Sequence, residues 1–511
     1  MDRQLLDHEG FNEGHDHNLT EDDTDVCLNA EETKASQEAC EEEGTEEDFT
    51  NLAYVLWKSV NHYFPDLNMW MNEMSDSRNP ELITYEAKTL IWVGLIMFIT
   101  KRESRKKIRD QMRLPEFLAI LKEYCQQENL KSVPHDDTMK YLFVRMDPGE
   151  FEELQSKMMS LLFRKKVLER FKLLGKYYTI AIDGVHTGSF DYEHCPGCLF
   201  KKDKLGKKSW YHYKVEAVLV CPNGMSLSLG SEWVENKDGQ TKQDCELNAT
   251  YRLLKKLRRF YPKLPMCLLL DSLFCCEPMF QALEAQRMEW MVVFKKGSMP
   301  EVFDWAMKQI DREGGFKTHK VEERKQIPVR NPRTHEELLT RKKPTNETRE
   351  VAFKGEYFWA KDVAHWNNER KYNVVKGKVT YDDQVKCNYT WLVSKKITQA
   401  LNNHTVKEVV DHGGRCRWKI ENEGNNIQKN GGYNLKHCYI KDPVGMKIMH
   451  TLLDMSHAIN QLIEKGSLIL RETYGSIRDI AMYLFEHMRY RTFQKPQKPR
   501  RIQIRLTWDT S

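Results

Sequence analysis

The sequence predicts an α/β protein: a mixed sheet flanked by helices, with a mainly β insertion before its last core helices and a helical domain in front. Three observations carry this. Residues 49–170 place apolar side chains three and four apart, the period of helices packed on a core. From Lys176 the pattern turns to short β-rich runs broken by Gly, Pro and Asn. Two amphipathic stretches divide these runs into the order strand, strand, strand, helix, strand, helix, strand, which describes a sheet with crossover helices.

Taken in order, residues 1–48 have the composition of a disordered acidic tail, rich in Glu, Asp and Thr and nearly free of aromatics. Residues 49–170 form the helical domain, with "FTNLAYVLWKSVNHYF" and "YEAKTLIWVGLIMFITKRESRKKIRDQM" as its clearest helices. The second ends in "KRESRKKIRDQMR", seven basic residues against two acids. Such an end suits a DNA backbone and equally suits solvent. The strands "YYTIAIDG", "YHYKVEAVLVCPNGMSLSLGSEWV", "MCLLLDSLF" and "MEWMVVFKK" alternate with the helices "QDCELNATYRLLKKLRRFYPKLP" and "PMFQALEAQR" in a domain over 171–480. Inside it, about 300–395 reads as loops and strands without a helix period, the β insertion. The segment "TVKEVVDHGGRCRWKIENEGNNIQK" is helical, and a last long helix runs from about Val444 to Ile469. Residues 481–511 are a basic, Pro-rich tail.

Charge and cysteine usage narrow the class. Residues 1–50 hold 18 Asp and Glu against Arg3 and Lys34, so the other 461 residues carry +20 to give the overall +4. A body this basic fits a polyanion partner, through release of counterions from phosphates. Thirteen cysteines, an odd and scattered set, point to reduced thiols and a cytoplasmic setting. The longest apolar run, Leu90–Ile99, is too short to span a bilayer and no membrane partner is expected.

Two carboxylates stand out. Asp183 is expected to end the strand "TIAIDG" before a glycine turn, and Asp271 to end "CLLLDS". Singly, each resembles an ordinary turn or cap residue. Together they deliver two acids from buried strands to one sheet edge, where like charges call for a divalent cation with oxygen ligands. Glu421 is the best-placed third acid, because its helix also carries Arg417 and Lys429. Glu423, its rival, points about 200° away on a helix.

The chain here resembles the DDE transposases of bacterial insertion sequences, the cut-and-paste group with a ribonuclease H-like catalytic domain. That group carries a Tyr-x2-Arg-x3-Glu-x6-Lys signature, which Arg417-x3-Glu421 fits. The likeness extends over about 130–465, through "AIDGVHTGSFDYEHCPGCL", "KDGQTKQDCELNATYRLL", "LLLDSLFCCEPMFQAL" and "RWKIENEGNNIQKNGGYNLKH". The signature's Tyr position falls on Gly414 and its Lys position on Gln428, with Lys429 one residue later. The resemblance implies two Mg²⁺ ions, with Mn²⁺ able to substitute, on Asp183, Asp271 and Glu421. It implies cleavage and strand transfer at the terminal inverted repeats of a mobile element. It implies double-stranded DNA contacts through Arg417, Lys429, Trp418 and Lys242, and a homodimer in a synaptic complex. The helical domain 49–170 would then bind the DNA ends. A second reading is a catalytically inactive or domesticated transposase-derived DNA-binding protein. It rests on Asn425, where relatives carry an apolar aromatic, and on "CYIKDPVG" after His437.

Other residues invite simpler readings. His194, Cys195 and Cys198 in "HCPGC" are half of a zinc site, but no second C-x2-C or H-x3-H follows, so free buried thiols are the default. Trp233 and Trp391 are expected in the core rather than stacked on a flipped base, and Trp418 is expected to pack as well. Glu232 and Glu246 are expected in salt bridges, with a supporting place near the acids as the other option.

Overall fold

The sheet is built around a parallel core. In a computed structural model, residues 51–236, 243–312, 317–328, 339–340, 343–344, 348–363, 370–466, 477–493 and 506 are described. The expected acidic tail 1–48, Lys242 and residues 494–505 of the basic tail lie outside them.

The front helices are α1 (Leu52–Tyr63), α2 (Leu67–Asn72), α3 (Ala87–Ile99), α4 (Arg105–Met112), α5 (Pro115–Cys125), α6 (Asp136–Phe143) and α7 (Pro148–Arg164). All thirteen residues of α3 are buried, as its unbroken apolar run requires. The single helix expected from "YEAK" to "RDQM" is in fact two. Lys101 adopts a left-handed φ of 55°, and Ser104 caps α4 by accepting from the Lys107 N–H at 3.2 Å. The basic residues therefore line a separate helix rather than the end of α3.

Next come β1 (Tyr178–Phe190), β2 (Leu199–Lys202), β3 (Lys208–Val220), β4 (Ser226–Val234), α8 (Glu246–Phe260), β5 (Met266–Leu270), α9 (Glu277–Ala285) and β6 (Glu289–Val293). β1, β5 and β6 pair in parallel, and all of β5 and β6 is buried, which is why "MCLLL" reads as a continuous apolar run. Then follow α10 (Pro300–Asp311), β7 (Lys317–Pro328), the short pair β8 (Leu339–Thr340) and β9 (Lys343–Pro344), β10 (Thr348–Val363), β11 (Tyr372–Tyr381), β12 (Gln384–Val393) and α11 (Lys395–Gln399). The insertion was expected to lack a helix. α10 is one, nucleated by Pro300 and burying Val302 and Ala306, four apart on one face. The insertion strands extend the central sheet: the order is β2-β3-β1-β5-β6-β12-β11-β10-β7, with β4 beside β3.

Residues 406–430 form consecutive helical turns that alternate between tight and wide hydrogen bonding. α12 (Pro443–Gly466) and a further helix, α13 (Ile477–Tyr490), follow. The two sheet faces carry different partners. Ile180 and Ile182 face a core shared with the front helices, α8, α9, α12 and α13. Ala181, Cys267 and Leu269 face Val409, Val410, Cys416 and Ile420 of 406–430. Among the described residues, no helix is long and apolar enough to cross a membrane.

Candidate functional site

Register brings the first two acids together. β1 and β5 pair in parallel with Ala181 opposite Leu269. Asp183 and Asp271 lie two residues further along each chain, at one level on strands about 4.8 Å apart. Alternation turns both toward the face that 406–430 covers. Asp183 does not end its strand before a turn, as expected. β1 runs on to Phe190 because β3 continues to pair with it after β5 has stopped. What ends at Asp183 is the parallel ladder. Asp271 does leave its strand, and its carboxylate accepts the Leu273 N–H at 2.7 Å to cap the next turn.

Glu421 reaches this face from the wide turn Ile420–Asn426. Inserted wide turns of this kind re-aim side chains and recur at functional sites. Gly413 and Gly414 allow the approach without making a turn. A Cβ on Gly413 would stand 2.8 Å from Met291 Sδ, and one on Gly414 would overlap the Trp391 ring. Arg417 Nη1 donates to Glu421 Oε1 at 3.2 Å. Arg417 is buried, while the Glu421 side chain is 40 % exposed, so the arginine stands behind the acid. Arg417 Nε is buried with no hydrogen-bond partner among the described residues.

The electrostatics link the group. Burial, then the charges of Glu421 and Glu246, push the Asp183 carboxyl up to about 7, against the pull of Arg417. Glu246, the first residue of α8, is raised by burial and by Asp271, and accepts from Tyr213 Oη at 3.2 Å. It is thus a fourth acid of the cluster, where sequence reasoning gave it at most a supporting place. Burial and Lys436 lower the Lys429 ammonium, offset by Asp183 and Glu421, which places it in the field of both acids. Beside it opens a cleft of about 570 Å³ lined by Lys107, Lys429, Lys436, His437 and Glu103. Among the described residues, Asp183, Asp271 and Glu421 do not converge as a trio within 4.8 Å. Asp183 and Glu246, both raised by burial and by neighbouring acids, offer with Asp271 and Glu421 a set of oxygen ligands of the kind a divalent cation takes.

The remaining candidates divide clearly. Trp418 is 39 % exposed under the Arg417 guanidinium, so the expected core packing is corrected. It lies on a tight turn with one edge toward Tyr389 of β12, ring centroids 6.4 Å apart, and the rest open. Trp233 and Trp391 are buried, as expected. Glu232 pairs with Arg252 and Lys256, and Glu423 with Lys419. Gln428 is buried and donates to Asp454 on α12, which leaves Lys429 as the residue facing the acids. Outside the acid cluster, His194, Cys195 and Cys198 meet His212 of β3. His212 was missed because it lies fourteen residues beyond Cys198, in a strand with no ligand motif.

These residues define the protein's class as an α/β fold with an acid cluster where its parallel strands end. No family model matches the chain, and no curated protein matches it.

Proposed function

We propose that the chain is a metal-dependent DNA phosphoryl-transfer enzyme of the DDE transposase type, on a ribonuclease H-like sheet. The observation that carries the reading is the shared register of Asp183 and Asp271, with Glu421 within electrostatic reach. Asp183, Asp271 and Glu421 would hold Mg²⁺ or Mn²⁺, which when bound supplies an activated nucleophile and a stabilised leaving oxygen in an in-line displacement at phosphorus. Arg417, donating to Glu421, would hold it aimed at the sheet. Lys429, with Lys436 and Lys107 along the cleft, offers charge to a phosphate backbone, and α4 continues that basic track. Double-stranded DNA is the partner this charge suits, and a homodimer is the assembly the resemblance implies.

The second reading, DNA binding without cleavage, also has an observation behind it. Glu421 is tied to Arg417, and Asp271 caps a turn, so both acids have structural work to do. One experiment separates the two. DNA carrying the gene's own flanks is incubated with Mg²⁺ or Mn²⁺ and the wild type, Asp183→Ala, Asp271→Ala or Glu421→Ala. The enzyme reading expects cutting at the element boundary by wild type, and a loss of at least ~100-fold in each variant with DNA binding kept. A wild type that binds but cuts in neither metal makes the DNA-binding reading correct.

A further inference from the structure

The strongest unassigned feature lies at the opposite end of β1 from the parallel ladder. "HCPGC" forms a tight turn in which the Cys198 N–H donates to Cys195 O at 3.1 Å. His212 comes up from β3, opposite Gly188 of β1. Five residues of strand separate Gly188 from Asp183, roughly 16 Å at the strand rise. This cluster is therefore distinct from the acids.

Its dimensions are informative. Cys195 Sγ and Cys198 Sγ are 3.6 Å apart. His212 Nε2 is 3.7 Å from Cys195 Sγ, 3.5 Å from Cys198 Sγ and 3.4 Å from His194 Nδ1. A tetrahedral zinc ion with Zn–S of about 2.3 Å and Zn–N of about 2.0–2.1 Å demands edges of about 3.7 Å between sulfurs, about 3.4 Å between nitrogens and about 3.5 Å between the two kinds. All four observed edges agree within about 0.2 Å of that figure. A disulfide would need its sulfurs at about 2.05 Å. Hydrogen bonding among neutral thiols and imidazoles has no reason to close four ligand atoms around one point.

We propose that His194, Cys195, Cys198 and His212 bind a structural Zn²⁺ ion. The set is closed, with two sulfurs and two nitrogens and no open position, which marks a structural rather than a catalytic site. Binding replaces two S–H bonds with two Zn–S bonds and releases two protons, and the neutral imidazoles bind through His194 Nδ1 and His212 Nε2. Packing fixes the rings: His194 stacks on Phe190 with centroids 4.2 Å apart, and His212 meets Phe190 and Trp233 edge-on. Asn236 Nδ2 donates to Cys198 O at 2.8 Å, and Asn236 Oδ1 accepts from the Asp244 N–H. The ion would thus pin the β1–β2 connection to β3 and to the segment that leads into Glu246.

The test uses the full chain, expressed with zinc and purified without chelator or a histidine tag. Elemental analysis is expected to give one zinc per chain in wild type and in Asp183→Ala. Less than about one fifth of that is expected in Cys198→Ser and His212→Asn, because each removes one of the four ligands that close the site. In case those buried variants fail to fold, Cys195→Ser at the rim is read by cobalt substitution. Wild type should show the visible bands of tetrahedral cobalt with two thiolates, and Cys195→Ser the bands of one. A wild type without zinc and without that cobalt spectrum overturns the proposal. So does zinc retained in full by Cys195→Ser and His212→Asn, or a native mass showing a Cys195–Cys198 disulfide.

Discussion

Gly184 shows how one missing side chain builds the site. A Cβ there would overlap the phenol of Tyr213, which crosses the β1 backbone to reach Glu246. Gly184→Ala must push that rigid ring away, so it is expected to cost about 1–3 kcal/mol in urea unfolding, the usual price of overpacking. Tyr213→Phe keeps the ring and removes only the bond to Glu246, at about 1.5–3 kcal/mol. If Gly184→Ala unfolds like wild type, Tyr213 does not depend on the gap. "TIAIDG" therefore needs its glycine for close approach, not for the turn its sequence suggests.

At the scale of elements, one buried ion pair joins β3 to α12. Lys214 Nζ lies 2.8 Å from Asp454 Oδ2 and 3.7 Å from Glu216 Oε2, and all three side chains are buried. Burial and the neighbouring Glu216 raise the Asp454 carboxyl, while the two acids hold the lysine charged. Lys214→Met should destabilise by about 3–5 kcal/mol, because it leaves two carboxylates buried without their cation. Adding Asp454→Asn should recover part of that loss, and a double-mutant cycle with no coupling would show that the pair does not join the elements. Gln428, which donates to Asp454, carries the link on to residues 406–430 and so to Glu421.

For the whole molecule, buried neutral histidines weaken the fold as pH falls. Burial lowers His457 to about 3, where it contacts Gln428, Gln461 and the Tyr433 ring, with Lys101 adding repulsion. Burial and Arg491 lower His487 to about 4, and His487 Nδ1 accepts the Leu52 N–H at 3.1 Å. Below 6.5 the unfolded chain takes up protons that these folded rings refuse. Their contribution is complete above that pH and falls as the medium is acidified toward 4 and 3. For His457 the slope is about 1.4 kcal/mol per pH unit. The raised carboxyls of Asp183 and Asp454 act in the opposite sense over the same range, so the histidine effect is read as a difference: from pH 7 to pH 5 the urea midpoint of wild type is expected to drop relative to that of His457→Gln. Since protonated Nδ1 cannot accept, protection of the Leu52 amide, measured against its intrinsic exchange rate at each pH, should fall as pH approaches 4, opening the junction of α1 with α13. A midpoint that changes equally in wild type and His457→Gln from pH 7 to pH 5 would rule this out.

Local pattern determined the strand and helix order from Lys176 to Phe294 except for β2, four residues too short and too basic to show a period, since period two and period 3.6 are properties of neighbouring residues. It also singled out Asp183, Asp271 and Glu421, because each lies next to its own local signal. The break between α3 and α4 was hidden, because Lys101 can adopt a left-handed φ without a glycine or proline to announce it. α10 was hidden among loop-like neighbours. The tertiary structure alone decided the rest. It joined the insertion to the central sheet, brought Glu246 to the acids, turned Gln428 inward and Lys429 toward Asp183, and carried His212 to Cys195 and Cys198. Each of these is a meeting of residues far apart in the chain. Register and packing set such contacts, and neither is encoded in the spacing of any single segment.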